Sequence, residues 1–256
     1  MTGLETYQFP CRSDNYGVLL HDPATGLTAS IDAPEAAAVE RALAHTGWRL
    51  THIFTTHHHN DHTEGNAALK AAHGCRILGP RDEAAKIPGI DGALGGGDTF
   101  RFGDFEGQVL ATPGHTLGHI SYFIPAAKLA FVGDTMFAMG CGRVFEGNPQ
   151  MMWESLAKLR NLPKDTTVYC GHEYTLSNAR FALSIEPENQ ALQARAREVE
   201  ALRRDDKPTL PTTIEAELAT NPFLRACEPA LKAAIGMADA EDWRVFAEVR
   251  KRKDNA

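Results

Sequence analysis

The chain has 256 residues, 43% of them apolar and 23% charged, which suffices for one large domain or two smaller ones and excludes a disordered polymer. Its formal net charge of -7 argues against a nucleic-acid partner, which would favour a basic surface. No apolar run approaches the roughly 18 residues of a membrane span and no secretory leader is read at Met1–Arg12, so no membrane partner and a cytoplasmic location are expected; five scattered cysteines without a Cys-x-x-Cys pair (Cys11, Cys75, Cys141, Cys170, Cys227) fit reduced thiols there.

Gly17–Leu20 and Leu27–Ile31 read as strands around a turn at Pro23 and Gly26. Pro34 opens a helix over Glu35–His45. Leu50–Thr55 reads as a strand, and the residues from Thr63 to His73 as a helix closed by Gly74. A strand over Cys75–Leu78 precedes a glycine-rich loop over Ile87–Gly97. Strands at Thr99–Phe102 and Phe105–Thr112 flank the hairpin signal Gly103-Asp104. Strands follow at Ile120–Ile124 and Lys128–Val132, then a helix from Pro149 to Leu162 and a short strand at Thr166–Tyr169. Beyond Tyr174 helical periodicity replaces strands: Leu192, Ala196, Val199 and Leu202 share a spacing, and Ala238–Lys253 reads as a last helix. The change of character predicts a mixed domain over residues 1–173 and a helical domain over 174–256.

The most informative stretch is Thr56-His57-His58-His59-Asn60-Asp61-His62, with four histidines and an aspartate in seven residues. It lies where a strand gives way to a helix, the kind of loop that carries chemistry. An extended chain alternates its side chains, so His57, His59 and Asp61 would point one way and His58 and Asn60 the other. Imidazole and carboxylate donors at that spacing predict a metal site. His115 in Thr112-Pro113-Gly114-His115, Asp134 after Gly133, and His172 after Gly171 recur just past predicted strand ends. Each alone is an ordinary turn residue; together they can supply seven ligands at one sheet edge.

The set His57-x-His59-x-Asp61-His62, Thr112-Pro113-Gly114-His115-Thr116, Gly133-Asp134-Thr135 and Gly171-His172 resembles the metallo-β-lactamase superfamily. The resemblance implies an α/β fold, an αββα sandwich with a C-terminal all-helical domain. Phe131–Phe137, Gly140-Cys141-Gly142-Arg143 and Val168–Thr175, with the tail Arg250–Asp254, are similar to the glyoxalase II family, the hydroxyacylglutathione hydrolases. By position, the resemblance gives His57, His59 and His115 to one metal, Asp61, His62 and His172 to a second, and Asp134 as the bridge. It implies two divalent ions, zinc first, with iron or manganese as alternatives. His58 and His119 are not ligands in the pattern. The substrate contacts it implies are Arg143, Phe145, Tyr174, Arg250 and Lys253; Phe145 keeps a ring and lacks the hydroxyl common there, and Arg143 stands where many members carry Lys.

The implied reaction is hydrolysis of the thioester S-D-lactoylglutathione by a metal-bridging hydroxide, in methylglyoxal detoxification, with Asp61 and Asp134 in the catalytic centre. A thiol leaving group has a pKa of about 8.5, so it departs without a strong acid, and no covalent serine or cysteine is expected. The partner is then a small glutathione thioester, and a monomer is expected. The rival is a glutathione persulfide dioxygenase, an oxidoreductase of the same fold with one iron and no long helical tail, or another hydrolase of that fold. The tail after Tyr174 argues against the first, and Trp243, Phe246 and Val249 predict an apolar stripe docking the last helix.

Overall fold

The computed structural model describes residues 3–256, which form two compact units: residues up to Ala111 with Gly118–Gly133, and Thr112–Leu117 with Asp134–Ala256.

The first unit holds two sheets. In chain order the first comprises β1 (Glu5–Cys11), β2 (Asn15–Asp22), β3 (Leu27–Ile31), β4 (His52–Phe54), β5 (Arg76–Pro80) and β6 (Gly92–Leu94), and that is also their order across the sheet. β1, β2 and β3 pair antiparallel, whereas β3 to β6 pair parallel. Parallel neighbours need a crossover. Helix α1 (Ala36–Thr46) links β3 to β4, and α2 (Asn60–Thr63) with α3 (Asn66–His73) links β4 to β5. The second sheet contributes four antiparallel strands to this unit: β7 (Thr99–Phe102), β8 (Phe105–Ala111), β9 (Ile120–Ile124) and β10 (Leu129–Phe131).

Alternation along β4 explains how the layers stack. Ile53 joins Leu19, Val39, Leu43, Leu69 and Ile77 in the core beneath α1 and α3. Its neighbour Phe54 faces the other sheet, with ring centroids 5.1 Å from Phe100, 5.6 Å from Phe102 and 5.5 Å from Tyr122. Tyr122 is fully buried, and its hydroxyl donates to Thr55 O at 2.7 Å, so the core keeps a large ring without an unpaired polar atom. Truncating such a ring costs about 3–5 kcal/mol.

The second unit opens its strands with a short hairpin, β11 (Met136–Phe137) and β12 (Gly140–Cys141). Helix α4 (Pro149–Arg160) has proline in its first turn and Asn148 as its cap, whose Oδ1 accepts from Met151 N at 2.9 Å. β13 (Thr167–Tyr169) pairs antiparallel with β14 (Thr212–Thr213). The rest is helical: α5 (Thr175–Ile185), α6 (Gln190–Arg204), α7 (Ile214–Thr220), α8 (Pro229–Ala234) and α9 (Asp242–Asp254). Leu192, Ala196 and Val199 of α6 pack on Ala179 and Ala182 of α5 and on Met139. In α9 the buried stripe is Val245, Phe246 and Val249, with Phe246 against Trp153 and Phe223. Trp243, expected in that stripe, is only partly buried and lies under the Arg244 guanidinium at 4.6 Å; Val245 takes its place.

Several boundaries differ from the sequence expectation. β1 was not expected, β6 lies inside the predicted loop, and the helix expected over Thr63–His73 is interrupted at Glu64-Gly65. Gly65 sits where a Cβ would lie 3.0 Å from Ala33 O and from Ala36 N, so a side chain there would press on the backbone that leads into α1.

Candidate metal and substrate site

In the first unit the chain leaves β4 through Thr55–His59 and turns helical at Asn60. The extended alternation therefore holds only as far as His59. His57 and His59 share a side: His57 Nε2 is 3.1 Å from His59 Nδ1. His58 turns the other way, toward Glu83, with its N–H donating to Glu83 Oε2 at 2.8 Å and its ring Nδ1 3.0 Å from the same oxygen. Asp61 and His62 come from the first turn of α2, not from an extended chain, which corrects the sequence argument for Asp61.

Buried partners orient these rings. His62 is 1% exposed, and its Nδ1 lies 2.8 Å from Asp32 Oδ2. Because a carboxylate only accepts, Nδ1 carries a proton, and in the neutral ring Nε2 is then the nitrogen that can ligate. Asp32 also accepts from Thr56 N at 2.7 Å and Thr56 Oγ1 at 2.9 Å. Asn15 Nδ2 donates to Asp61 O at 3.2 Å and to Asp61 Oδ2 at 3.3 Å. His119 stacks on His57, with ring centroids 4.9 Å apart. A Cβ on Gly133, whose φ is +48, would lie 2.7 Å from His119 Nε2 and 2.6 Å from Thr56 Oγ1, so glycine is required there.

In the second unit Asp134, 5% exposed, sits between two imidazoles: Oδ2 is 3.5 Å from His115 Nε2 and 3.3 Å from His172 Nε2. His115 Nδ1 donates to Arg143 O at 2.9 Å, which in a neutral ring makes Nε2 the nitrogen that can ligate. The His172 ring stacks on Tyr174 at 4.8 Å and 4°. Phe145 lies 5.2 Å from the His115 ring and is 61% exposed. Arg143 is exposed, while Arg250 is buried. Arg250 donates to Cys141 O at 3.1 Å and pairs with Asp254 at 2.8 Å. Lys253 Nζ donates to Ser177 O at 3.2 Å and Ser177 Oγ at 3.1 Å. Partial burial first, and then the charges of Arg250 and Arg143, push the Lys253 ammonium below the ordinary lysine range. These cations thus share one field, suited to an anionic ligand.

The donor chemistry fits a divalent metal. Ligand atoms bonded at 2.0–2.1 Å in tetrahedral geometry lie about 3.3–3.4 Å apart. The nitrogen pair of the first unit and the two nitrogen–oxygen spacings of the second are close to that. His62 and His115 each have the far ring nitrogen fixed by an acceptor, the arrangement that holds a ligating imidazole in one tautomer. His57, His59, Asp61 and His62 in the first unit, and His115, Asp134 and His172 in the second, each belong to groups of side chains able to hold a metal ion. Thiol chemistry is disfavoured: burial pushes Cys141 up to about 11 and Cys170 higher still, so neither is a thiolate at neutral pH.

Sequence reasoning missed Asp32, Glu83 and Asn15. Asp32 had a readable signal, because it follows the end of β3 as His57, His115 and Asp134 follow strands. Glu83 had none, since it stands in a short 3-10 turn, Arg81–Lys86, far from any motif.

Comparison with known proteins agrees with this chemistry. Residues 14–172 match the metallo-beta-lactamase superfamily, and residues 173–256 match the hydroxyacylglutathione hydrolase C-terminus. A protein of Brucella anthropi named hydroxyacylglutathione hydrolase is 61% identical over 98% of this chain and 96% of its own length. One of Brucella ovis with the same name is 60% identical over 98% of both. Among solved structures, ETHE1 from Myxococcus xanthus superposes with a TM-score of 0.68 at 28% identity, covering 96% of this chain and 90% of that one. The αββα sandwich and the helical C-terminal region are those of this family, and the chain belongs to the hydroxyacylglutathione hydrolases, metal-dependent hydrolases of the metallo-β-lactamase superfamily.

Proposed function

We propose that the chain hydrolyses S-D-lactoylglutathione, and related hydroxyacylglutathiones, to D-lactate and glutathione, the second step of methylglyoxal detoxification. The observation that carries this is Asp134 held between the His115 and His172 nitrogens in the unit that also gathers Arg143, Arg250 and Lys253. The names of the 60–61% identical relatives and the match over 173–256 support the same substrate. They also favour hydrolysis over persulfide oxidation.

The ligand assignment is that of the family pattern: His57, His59 and His115 for one ion, Asp61, His62 and His172 for the other, Asp134 shared, with zinc the first choice of metal. Two dications held there would supply an activated water, with a pKa of about 7, and Lewis acidity toward the thioester carbonyl. The chain's residues do the rest. Asp32 and the Arg143 carbonyl hold His62 and His115 in the required tautomers. The cationic cluster orients the glutathione carboxylates by charge-assisted hydrogen bonds. Tyr174 and Phe145 offer partly exposed rings as walls for the peptide. The water oxygen forms the new C–O bond, the C–S bond breaks with its electron pair on sulfur, and the water proton ends on the thiolate. Residues 1–173 thus serve as the catalytic domain and 174–256 as the substrate-binding one, in a cytoplasmic monomer; no helix among the described residues is long and apolar enough to cross a membrane.

The test is turnover of S-D-lactoylglutathione by protein of measured metal content, run beside oxygen uptake with glutathione persulfide. Thioester hydrolysis that scales with two equivalents of metal is expected. Oxygen uptake without hydrolysis overturns the reading.

A further inference from the structure

The turn of the β11–β12 hairpin, Phe137-Ala138-Met139-Gly140, is fastened by side chains from the helical part of its unit. Asn221 Nδ2 donates to Phe137 O at 3.1 Å and to Gly140 O at 2.9 Å. Asn178 Nδ2 donates to Ala138 O at 3.1 Å. Met139 N donates to Glu217 Oε2 at 2.8 Å. Glu217 in turn accepts from Thr212 Oγ1 at 2.7 Å, and its Oε2 lies 2.8 Å from Asn221 Nδ2, whose two hydrogens are shared among the three acceptors. Met139 holds a left-handed backbone, φ 52, a conformation a side-chain-bearing residue keeps only when its surroundings impose it. A Cβ on Gly140 would lie 2.2 Å from Asn178 Nδ2, so turn and clamp are also in steric contact.

All three side chains are buried: Glu217 is 1% exposed, Asn221 0% and Asn178 6%. Burying a carboxyl and two amides in a helical core is costly unless every group is bonded. Here the bonding is directed at one turn. Burial raises the Glu217 carboxyl above the usual range, and its donors Thr212, Asn221 and Met139 offset only part of that rise.

The hairpin touches the residues assigned to the substrate. The Phe137 ring stands edge-on to Tyr174 at 5.2 Å and to His172 at 5.8 Å. Cys141 O receives Arg250, and Arg143 follows two residues later. We infer that Glu217 and Asn221, with Asn178, are positioning residues that set the hairpin beneath Tyr174 and Arg250 and so tune glutathione binding without touching it. The kinetic part of this inference rests on the proposed thioesterase activity; its structural part does not.

The experiment compares Glu217→Gln, Glu217→Leu and Asn178→Ala with the wild type by steady-state kinetics, metal content and amide exchange at Met139. In Glu217→Gln the amide oxygen can still face Met139 N and Asn221 while its NH2 faces the Thr212 hydroxyl, which can accept. KM within about twofold of wild type is expected. Glu217→Leu removes both acceptors, so KM rises about tenfold, kcat stays within about threefold, metal content is unchanged and Met139 exchanges at least about tenfold faster. Asn178→Ala loses one bond and serves should the leucine variant not fold; KM rises about threefold with faster exchange at the turn. A folded Glu217→Leu or Asn178→Ala with wild-type KM and exchange overturns the inference, as does a glutamine variant as impaired as leucine. If the wild type cleaves no glutathione thioester, the functional reading falls, and exchange at Met139 alone then decides the clamp.

Discussion

Within the histidine cluster one backbone step separates a ring that meets His59 nitrogen to nitrogen from one that is paired with Glu83. His57 and His59 present nitrogens 3.1 Å apart, whereas His58 is turned to Glu83. His58→Ala should therefore keep metal content near wild type and lower turnover by less than about threefold, its backbone N–H still reaching Glu83, while His57→Ala and His59→Ala each lose at least about a hundredfold. Metal analysis with kinetics decides this; equal loss in all three variants would contradict the geometry. Asp32 makes a second case. It acts through the Nδ1 of His62 and through Thr56, so Asp32→Ala should weaken metal affinity by about 10–100-fold with the fold retained, read by competition with a chromogenic chelator. The sequence showed the direction of His57, His58 and His59 because period-two alternation needs only an extended chain. It hid the placement of Asp61, because helix α2 begins one residue earlier and nothing at Asn60 announces it. It left a trace of Asp32, an aspartate just past the end of a strand like Asp134, but a single such residue also reads as an ordinary turn aspartate.

Helix α9 shows how one element can serve packing and binding together. Val245, Phe246 and Val249 hold it in place, and Arg250 on the same side is buried, donating to the Cys141 carbonyl of β12. Arg250 is therefore a structural residue as well as a proposed contact, which a spacing argument on Arg250 and Lys253 alone could not reveal. Lys253→Ala should raise KM by about threefold to tenfold and leave kcat and Tm unchanged, since it removes binding energy remote from the reacting carbon. Arg250→Ala should raise KM and also lower Tm, because a buried carbonyl loses its donor. The pH profile gives an independent check. A lysine held below its ordinary range loses its charge earlier as pH rises, so wild-type KM should begin to climb on the alkaline side below the range of a free lysine. The climb should be absent in Lys253→Ala; an identical profile would place the ammonium outside the binding site. Other elements left weaker traces in the sequence. β1 carries Glu5 and Pro10 and lies at a sheet edge, where proline is tolerated but masks the strand pattern. β6 is three residues in a glycine-rich run, and β11 and β12 are two residues each. Periodicity cannot be read over so few positions. The long strands and helices, each with a full apolar face, were legible because burial had to repeat along them.

At the scale of the whole chain the proposed ligands run from His57 to His172, in four separate segments. An unfolded chain does not gather them, so metal binds the native state alone and stabilises it by mass action. At free metal about a hundredfold above Kd this amounts to about 2.7 kcal/mol per site, or about 5–10 °C in Tm for a chain of this size. Stripping the protein with a chelator should lower Tm by at least that much, and readdition of zinc should restore both Tm and turnover. Asp134→Ala separates this linkage from an unspecific effect of chelator. Asp134 lies between the His115 and His172 nitrogens, and its loss should abolish the metal-dependent part of Tm together with turnover, leaving a variant whose melting no longer responds to zinc. A metal-dependent Tm that survives in Asp134→Ala would show that the stabilising ion is held without this carboxylate and would remove it as the shared ligand. A wild type that melts identically with and without chelator would mean that these histidines do not hold a metal in the folded chain.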